Sequence, residues 1–417
     1  MIIKNKFKFN VGELCLGFSD AAKNQAAFDR YYYDFFDAQA DAYGFLPRPA
    51  RWLNKGAPVL VCLRLAAPVL RMLWFCFAGV YFFFRLMRMY FSRSYKPFYQ
   101  HDGGSVFLSV CKRSLDVAHQ AKVIDRDTIF LRIPGFHKDD CGDDLSVLSL
   151  LSFRDFSLVL AAACRVHYYV AIKSDASNIF QTYAAADWIA TFLAIKKINP
   201  GRVITAEHHD RWAILADIYC GTQKAHGFPS SMVVVQHGLE FSKTYERMVD
   251  LGLLEGLPYK LRNISTLYVY DENQRNIFYD YIICGSVSGL QMATHYYAYK
   301  LILSDSGLSG KSILIVGYAR CERFHLDLYM SLRDLASFNC FYKPHPTLKP
   351  SSLLLSAGWI LIEDKDYFPR VDLVVSYPST LVAEYMAAGV DVIEHQFDAG
   401  VSDVKGLGDQ ILSMLRQ

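Results

Sequence analysis

The stretch VDLVVSYPSTLVAE, residues 371–384, decides the fold. Its apolar run ending at Ser376 has the length and the β-branched content of a buried strand. Ser379 or Thr380 then places a hydroxyl where a helix begins, and the apolar residues after it have helical spacing. A strand followed by a helix is the repeating unit of a parallel sheet covered by helices, so this part of the chain is predicted to be α/β.

The same alternation continues on both sides of this stretch. It predicts five strands in the C-terminal part of the chain, at Ser312–Val316, Phe338–Tyr342, Trp359–Ile362, Leu373–Ser376 and Val390–Ile393. Helices are predicted between these strands, near Glu322–Ala336 and Ser379–Ala388. The preceding run SDSGLSG, residues 304–310, predicts a linker.

An earlier α/β unit lies before this linker. Its predicted strands are Thr128–Ile133, His167–Ile172, Arg202–Ala206, Met232–Gln236 and Thr266–Tyr270. Its predicted helices are Asp175–Ile195 and Arg211–Ala225, and helical spacing continues through Gln291–Leu303. A chain of 417 residues exceeds what one hydrophobic core usually supports. We therefore predict two Rossmann-like domains in series, residues 98–303 and 311–417, with a ligand cleft between them.

Composition excludes several classes of protein. The chain has 52% hydrophobic and 20% charged residues, which excludes a disordered chain. Its net charge of +3 is small and no nucleic-acid-binding signature is present, so no nucleic-acid partner is predicted. The ten cysteines form no Cys-x-x-Cys pair and show no zinc-ligand spacing with histidine, so no metal site or cofactor is predicted. Residues 1–56 receive no assigned role.

The segment from residue 57 to residue 93 is unusually apolar. Its uninterrupted apolar part, Met72–Phe84, is shorter than the about 20 residues that a membrane-spanning helix needs. Arg64, Arg71 and Arg85 fall in one heptad register and therefore form a basic stripe on a helix. Three interpretations remain open: a helix lying in the membrane surface, a spanning helix, and a buried helix of a soluble domain. The first makes a membrane surface a predicted partner.

A charged and proline-rich turn, Lys343-Pro344-His345-Pro346, directly follows a predicted strand. Lysine supplies a positive charge and histidine a hydrogen-bond donor at the carboxyl end of that strand, where parallel sheets bind ligands. The prolines fix the loop, so these groups need not be ordered on binding. Lys343 and His345 are therefore predicted to contact a ligand; the alternative is a rigid surface turn.

Two further elements of the C-terminal unit are candidates for phosphate binding. The hydroxyls of Ser379 and Thr380, together with the free amides of a helix N-terminus, form an anion site. Glu384 lies about one turn further, where its carboxylate faces either a ribose or water. Gly317 and Arg320 belong to the turn after the first strand of this unit and are predicted to approach the same phosphates. The alternatives are ordinary helix capping and a plain turn.

The earlier unit supplies the candidate general base. The run VVVQHG, residues 233–238, is a buried strand that delivers His237 at its carboxyl end. Glu207 and Asp210 follow the preceding strand and are alternative bases, provided that burial or a partner raises their pKa values. His208 and His209 lie in the same segment and point to opposite faces if the chain is extended, which favours a structural role.

These elements resemble known bacterial enzymes of surface-polysaccharide synthesis. His345 and the pair Ser379 and Thr380, in this order, resemble the His-Pro and Ser/Thr motifs of GT-B glycosyltransferases such as sialyl-, polysialyl- and Kdo transferases and the related CDP-glycerol polymerases. In those families the motifs bind the donor's nucleotide phosphates, and the resemblance implies that role here. The strand ending in His237 and Gly238 resembles their acceptor-side half. The resemblance implies a GT-B-like pair of Rossmann-type domains.

The resemblance also implies a function. The implied function is that of an inverting glycosyltransferase, which moves a sugar, for example from a CMP-sugar, onto a capsule or lipopolysaccharide acceptor. This reaction requires no bound metal. The implied partners are a nucleotide-activated sugar and a glycan or glycolipid acceptor. Together with the apolar segment, which predicts contact with a membrane surface, this gives an expected location at the cytoplasmic face of the inner membrane, peripheral or monotopic. A CDP-glycerol-type polyol phosphotransferase, a sugar-nucleotide 2-epimerase and a non-catalytic polysaccharide assembly or export partner remain the alternatives.

Overall fold

The computed structural model describes thirteen segments of the chain: residues 11–35, 46–47, 57–92, 103–109, 112–134, 145–174, 176–228, 230–250, 257–285, 292–333, 337–345, 350–397 and 399–416. Contacts divide it into two compact units: the described residues up to Tyr297 belong to unit 1, and those from Ala298 onward belong to unit 2. Each unit is built on one parallel sheet covered by helices.

Unit 1 contains a seven-stranded sheet in which every neighbouring pair of strands is parallel. The strands are β1 Ser105–Ser109, β2 Ile129–Arg132, β3 Leu145–Ser146, β4 Arg202–Thr205, β5 Ser231–Val235, β6 Ile264–Val269 and β7 Ala293–Tyr296. Their order across the sheet is β3-β2-β1-β4-β5-β6-β7. The order reverses between β1 and β4, which is the switch point of a doubly wound Rossmann sheet.

Unit 2 repeats this topology in a five-stranded parallel sheet. Its strands are β8 Ser312–Val316, β9 Asn339–Lys343, β10 Ile360–Leu361, β11 Leu373–Ser376 and β12 Asp391–Glu394, in the order β10-β9-β8-β11-β12. The switch point lies between β8 and β11. Both strands are buried along their whole length, as expected for the centre of a sheet with helices on both faces. The predicted pair of Rossmann-type domains is therefore confirmed.

Helices cover both sheets. Those of unit 1 are α1 Val11–Phe35, α2 Ala57–Ser92, α3 Lys112–Gln120, α4 Phe153–Lys173, α5 Ala185–Ile198, α6 Arg211–Ala225, α7 Ser242–Asp250 and α8 Glu272–Ile277, with 3₁₀ turns at Val147–Leu150 and Ala176–Ala184 and a π turn at Phe278–Ile282. Those of unit 2 are α9 Glu322–Leu332, α10 Ser352–Leu355, α11 Thr380–Ala387 and α12 Val401–Leu415, with a 3₁₀ turn at Ala319–Cys321.

The two N-terminal helices pack into the core of unit 1. On α1, Phe18 is buried and its ring meets Trp188 of α5 edge-to-face, with the ring centroids 5.5 Å apart. On α2, one stripe that includes Ala78 and Phe82 is buried in the same core. The Arg85 guanidinium of α2 forms an ion pair with Asp187 of α5 at 2.9 Å. The remaining circumference of α2 is largely exposed, so this helix is anchored on one face only.

The structure corrects the prediction of a strand at His167–Ile172, because these residues belong to α4. Ser152 caps this helix and forms a capping box with Asp155, which fixes its start well before the predicted strand. The aromatic and β-branched residues that favour a strand are instead the last two turns of a helix, in which Val166 and Val170 are buried one turn apart.

Three other predictions also change. The prediction that helical spacing continues through Gln291–Leu303 is wrong for the described residues of this range, because Ala293–Tyr296 forms the edge strand β7 beside β6. The predicted helix Asp175–Ile195 is a 3₁₀ segment followed by α5, and Asp175 lies outside the described residues. The predicted linker, residues 304–310, is placed too late in the chain. Its first residue, Ser304, already belongs to unit 2, because its amide donates to the Phe368 carbonyl at 2.8 Å. The central strand β1 was not predicted.

Candidate functional site

The candidate residues gather at the carboxyl edges of the two sheets. In unit 1, Glu207 and Asp210 follow β4 and His237 follows β5. In unit 2, Gly317 follows β8, His345 follows β9, and Ser379 follows β11. β4, β8 and β11 flank the switch points, where doubly wound sheets bind ligands. Each unit therefore has its own candidate site.

The loop after β4 and the loop after β5 meet through an ion pair in unit 1. The Nε2 atom of His208 lies 2.5 Å from Oε1 of Glu240, and the Tyr245 hydroxyl donates to Oε2 of the same carboxylate at 2.6 Å. Burial opposes both charges, but the charge of Glu240 raises the pKa of His208. In turn, the charge of His208 lowers the pKa of Glu240 to about 2. The two groups hold the loops together as a partly buried pair.

The hydrogen bond of His237 fixes its tautomer. Its Nδ1 atom lies 2.6 Å from the carbonyl oxygen of Ala206, which can only accept, so Nδ1 carries the proton. Nε2 then presents a lone pair. Burial, followed by the charge of His208, lowers the pKa of His237 to about 4, so the ring is neutral at physiological pH. His237 therefore has the protonation state of a proton acceptor.

The two alternative bases differ in what their carboxylates contact. Asp210 is the N-cap of α6: its Oδ1 accepts from the amides of Trp212 at 2.8 Å and Ala213 at 3.0 Å. Oε1 of Glu207 accepts a longer bond of 3.4 Å from the Ser114 hydroxyl. Burial raises the pKa of Glu207. Burial and the neighbouring Glu207 together raise the pKa of Asp210 to about 7. Asp210 is thus committed to capping through one oxygen.

Two glutamines that the sequence analysis did not single out brace this edge. The Gln274 Oε1 accepts from the amide of Glu240 at 2.9 Å and from the side chain of Gln236. Gln236 also donates to the Gly238 carbonyl at 2.8 Å and accepts from the Tyr270 amide at 3.0 Å. Both glutamines are buried, and these bonds fix the path of the loop that carries His237 and Glu240.

A cavity of about 430 Å³ adjoins Asp210 in unit 1. It is lined by Gln25, Asp29, Arg85, Pro134, Tyr183, Ala184, Asp187, Asp210, Arg211 and Trp212. Arg211 is buried, and its Nη2 donates to Gln181 at 3.2 Å. Among the described residues, none accepts a hydrogen bond from its Nη1. The cavity lining therefore combines carboxylates, arginines and aromatic rings.

The edge of unit 2 is aromatic instead of charged. The Tyr318 ring packs edge-to-face against His345, with the centroids 5.1 Å apart, and against Tyr377 at 5.0 Å. Burial lowers the pKa of His345 to about 4, so this imidazole is neutral at physiological pH. Gly317 is required by the packing, because a Cβ there would lie 2.4 Å from the phenol of Tyr342.

The structure does not support Lys343 as a ligand contact. Its side chain is buried, and Nζ donates to the backbone carbonyls of Asp364, Lys365 and Tyr367 at 2.8–3.0 Å. An ammonium has three donors, so all of them are used within the protein. Burial lowers the pKa of Lys343 to about 8. Lys343 therefore holds the loop after β10 in place.

The remaining candidates of unit 2 lie around the start of α11. Ser379 is the N-cap residue, yet its hydroxyl makes no capping bond and faces the Ser376 hydroxyl at 3.3 Å. Ordinary capping therefore does not account for the Ser379 hydroxyl. Thr380 begins the helix, and Glu384 is buried on it instead of facing water. Arg320 is exposed after β8. Pro346 of the His-Pro element lies outside the described residues.

Comparison with known proteins gives similarity in fold only. No protein-family model and no curated protein sequence matches the chain. Similar solved structures include MurG from Acinetobacter baumannii, which is 14% identical with a TM-score of 0.35 over 74% of this chain and 82% of that chain. A UDP-N-acetylglucosamine 2-epimerase is 11% identical with a TM-score of 0.40, covering 74% and 82%. The apo form of the lipopolysaccharide outer core galactosyltransferase WaaB is 10% identical with a TM-score of 0.38, covering 75% and 90%.

Proposed function

We propose that this protein is a glycosyltransferase that moves a sugar from a nucleotide-activated donor onto an acceptor hydroxyl. The observation that carries the proposal is the neutral imidazole of His237 at the carboxyl edge of one Rossmann sheet, in a chain whose second sheet is followed, after β11, by a helix whose N-cap hydroxyl, that of Ser379, makes no capping bond. A proton acceptor and an anion site are the two functions that sugar transfer from a nucleotide requires.

In unit 1, His237 acts as the general base. Its Nδ1–H is held by the Ala206 carbonyl, so Nε2 takes the proton of the acceptor hydroxyl. The acceptor oxygen then attacks the anomeric carbon while the bond between that carbon and the nucleotide phosphate breaks, and the configuration is inverted. Glu207 is the alternative base, because among the described residues its carboxylate accepts one long hydrogen bond, from Ser114.

In unit 2, the turns after β8, β9 and β11 hold the donor. The Ser379 hydroxyl and the first amides of α11 receive a phosphate, because a helix N-terminus presents unpaired N–H groups and a partial positive charge. His345 and Arg320 supply further donors, and Gly317 allows the backbone to approach. The resemblance of the His345 and Ser379 elements to CMP-sugar-dependent enzymes favours a cytidine nucleotide.

The cavity beside Asp210 is the proposed acceptor site. Carboxylates and guanidinium groups bind sugar hydroxyls and aromatic residues pack against sugar rings, and the lining supplies all three, in Asp187, Arg211 and Tyr183. A capsule or lipopolysaccharide glycan is the acceptor class that fits this lining and the resemblance together.

A titration with nucleotides tests the donor assignment. Isothermal titration of CMP, CDP, UDP and GDP into the purified chain should show binding of cytidine nucleotides, and the His345→Ala variant should bind them about 10- to 100-fold more weakly. His295→Ala is the matched control, because His295 lies on the edge strand β7 of unit 1. Binding of no nucleotide, or equal affinity in the His345→Ala variant, would remove the donor site from unit 2.

A polyol phosphotransferase that uses CDP-glycerol is the second candidate. The anion site at Ser379 favours it equally, because both donors carry a phosphate next to the bond that breaks. The products distinguish the two: a glycosyltransferase releases the whole phosphate with the nucleotide, whereas the phosphotransferase leaves one phosphate on the acceptor. Mass spectrometry of the acceptor therefore decides between them.

The exposed surface of α2 supports membrane association. Among the described residues, two helices are long and apolar enough to cross a bilayer: Val61–Ser92, with a mean hydropathy of 1.7, and Phe153–Lys173, with 1.3. Only 11% of the most apolar window of the first is buried. Phe77 is 59% exposed and Phe84 is 66% exposed. We propose that α2 lies in the membrane surface, held by its apolar side chains and its arginines.

Fractionation tests this proposal. The wild type should be released partly by high salt or carbonate, because salt screens surface attraction beyond about 10 Å. Phe77→Ser with Phe84→Ser should lower membrane occupancy at least about tenfold, since each buried phenyl contributes about 1.5–3 kcal/mol. Val401→Ser, equally exposed on unit 2, is the control. A wholly soluble wild type would exclude membrane contact, and full resistance to carbonate would favour a spanning helix.

A further inference from the structure

We propose that His208, His209 and Glu240 form a binding site for a divalent transition-metal ion of the zinc class. Each residue offers one ligand atom, and these three atoms all lie within 4.8 Å of one another. The site is in unit 1 at the carboxyl edge of β4 and β5. It departs from the sequence analysis, which predicted no metal site.

His209 carries the main argument. Among the described residues, none is hydrogen-bonded to its Nδ1 atom, although that atom is buried. Nδ1 instead lies 3.9 Å from Oε1 of Glu240, which is too far for a hydrogen bond. Two ligands of one zinc ion, each about 2.1 Å from it, are at most about 4.2 Å apart. The two atoms therefore have the separation of ligands that share an ion.

The partners of the other two ligands also fit a metal site. The Nδ1 of His208 lies 3.4 Å from the Ala206 carbonyl, which orients Nε2 toward Glu240. The second oxygen of Glu240 accepts from the Tyr245 hydroxyl at 2.6 Å. Ligating histidines and carboxylates characteristically have such outer partners. Without metal, His208 Nε2 and Glu240 Oε1 lie 2.5 Å apart and share a proton. Two ligands of a tetrahedral zinc ion are about 3.4 Å apart, so these two side chains would move apart by about 1 Å when the ion replaces the proton.

The ligand types select the class of ion. Two imidazoles with one carboxylate suit zinc and its neighbours, whereas magnesium and calcium prefer oxygen ligands alone. The side chains of His209 and Glu240 are 25% and 12% exposed, so an ion can enter. Three protein ligands also leave a coordination position open.

The site would add to the proposed function without depending on it. The ring of His237 lies 5.4 Å from that of His208, centroid to centroid, so the open coordination position would be close to the candidate base. A metal-bound hydroxyl loses its proton more readily, because the cation stabilises the resulting alkoxide. Metal binding itself can be measured with neither donor nor acceptor present.

The test is metal binding by the full chain. The protein is stripped with a chelator, dialysed, and titrated with Zn²⁺, Co²⁺ or Mg²⁺ by calorimetry, with bound metal counted by plasma mass spectrometry. We expect one equivalent of Zn²⁺ or Co²⁺, binding of Mg²⁺ at least about 100-fold weaker, and a higher melting temperature with Zn²⁺. A wild type that binds no Zn²⁺ would overturn the proposal and leave the donor titration unaffected.

Matched variants separate ligation from packing. His209→Phe keeps the ring that stacks on Phe28 at 3.9 Å but removes the nitrogen, and Zn²⁺ affinity should fall more than about 100-fold. Tyr245→Phe should weaken binding about 10- to 100-fold through Glu240. His119→Phe, at an exposed position of unit 1, should change nothing. Equal affinity in the His209→Phe and His119→Phe variants would overturn the proposal, provided that circular dichroism shows both folded.

Discussion

The two sheets share one strand order but end in different chemistry. At the edge of unit 1, His208, Glu240 and His237 form a cluster of ionisable groups whose mutual charges set their pKa values. At the edge of unit 2, Tyr318 and Tyr377 pack as aromatic rings around a neutral imidazole. Topology determines where a parallel sheet binds its ligand, whereas the loop residues determine which ligand and which reaction.

The two units also differ in the partners of their buried polar side chains. In unit 1 the buried side chain of Gln236 donates to that of Gln274, which also accepts from the backbone amide of Glu240. In unit 2 the buried ammonium of Lys343 bonds only to backbone carbonyls. The first arrangement fixes the loop that carries His237, while the second uses all three ammonium donors and supports the loop after β10.

The largest expected effect is that substitutions at the two sheet edges change different quantities, turnover in unit 1 and donor affinity in unit 2. His237→Ala should lower turnover about 10²- to 10⁴-fold with little change in donor affinity, because a base acts only in the transition state. His345→Ala should instead weaken donor binding by about 1.5–3 kcal/mol, the range of a hydrogen bond to a charged group. Steady-state kinetics and nucleotide titration of both variants provide the measurement.

If His237→Ala weakened donor binding and His345→Ala lowered turnover instead, the roles assigned to the two sheet edges would be reversed. Glu207→Gln and Asp210→Asn complete the set, because Asp210→Asn retains an oxygen for capping α6 while losing the charge. If His237→Ala still turns over and Glu207→Gln does not, the base is the carboxylate. Stability measured by urea unfolding must be unchanged for the comparison to hold.

A smaller effect is expected at Lys343, and on stability alone. Lys343→Met keeps the apolar stem but leaves three backbone carbonyls without their donor, so unit 2 should lose about 1–3 kcal/mol. Denaturant unfolding followed by the fluorescence of Trp359, which stacks on Tyr342 at 4.3 Å, would report this loss. Unchanged stability combined with lost nucleotide affinity would restore the ligand role predicted from the sequence.

The smallest effect is expected at the N-terminus of α11. Ser379→Ala should weaken phosphate binding by about 0.5–1.5 kcal/mol and leave stability almost unchanged, because its hydroxyl makes no capping bond. Adding Thr380→Ala should bring the total to about 1–3 kcal/mol. Calorimetry of a nucleotide against both variants measures it. A loss of stability with unaltered affinity would reduce the pair to helix capping.

Strand prediction succeeded where a strand is buried on both faces. The strands β5, β8 and β11 are apolar apart from one terminal serine each, because helices cover both faces of the sheet there. The method failed at the edge strand β7, whose exposed residues show no such run. It also failed at α4, where Val166 and Val170 belong to a helix whose aromatic and β-branched content is typical of strands.

The sequence by itself determined the α/β class, the pair of Rossmann-type domains and the placement of His237, His345 and Ser379 at strand ends, because these follow from local periodicity and chain order. Only the tertiary structure decided the state of each group. The tautomer of His237 depends on the Ala206 carbonyl, and the role of Lys343 depends on three carbonyls about twenty residues away. Hydrogen bonds and pKa values depend on neighbours in space, which local periodicity does not specify.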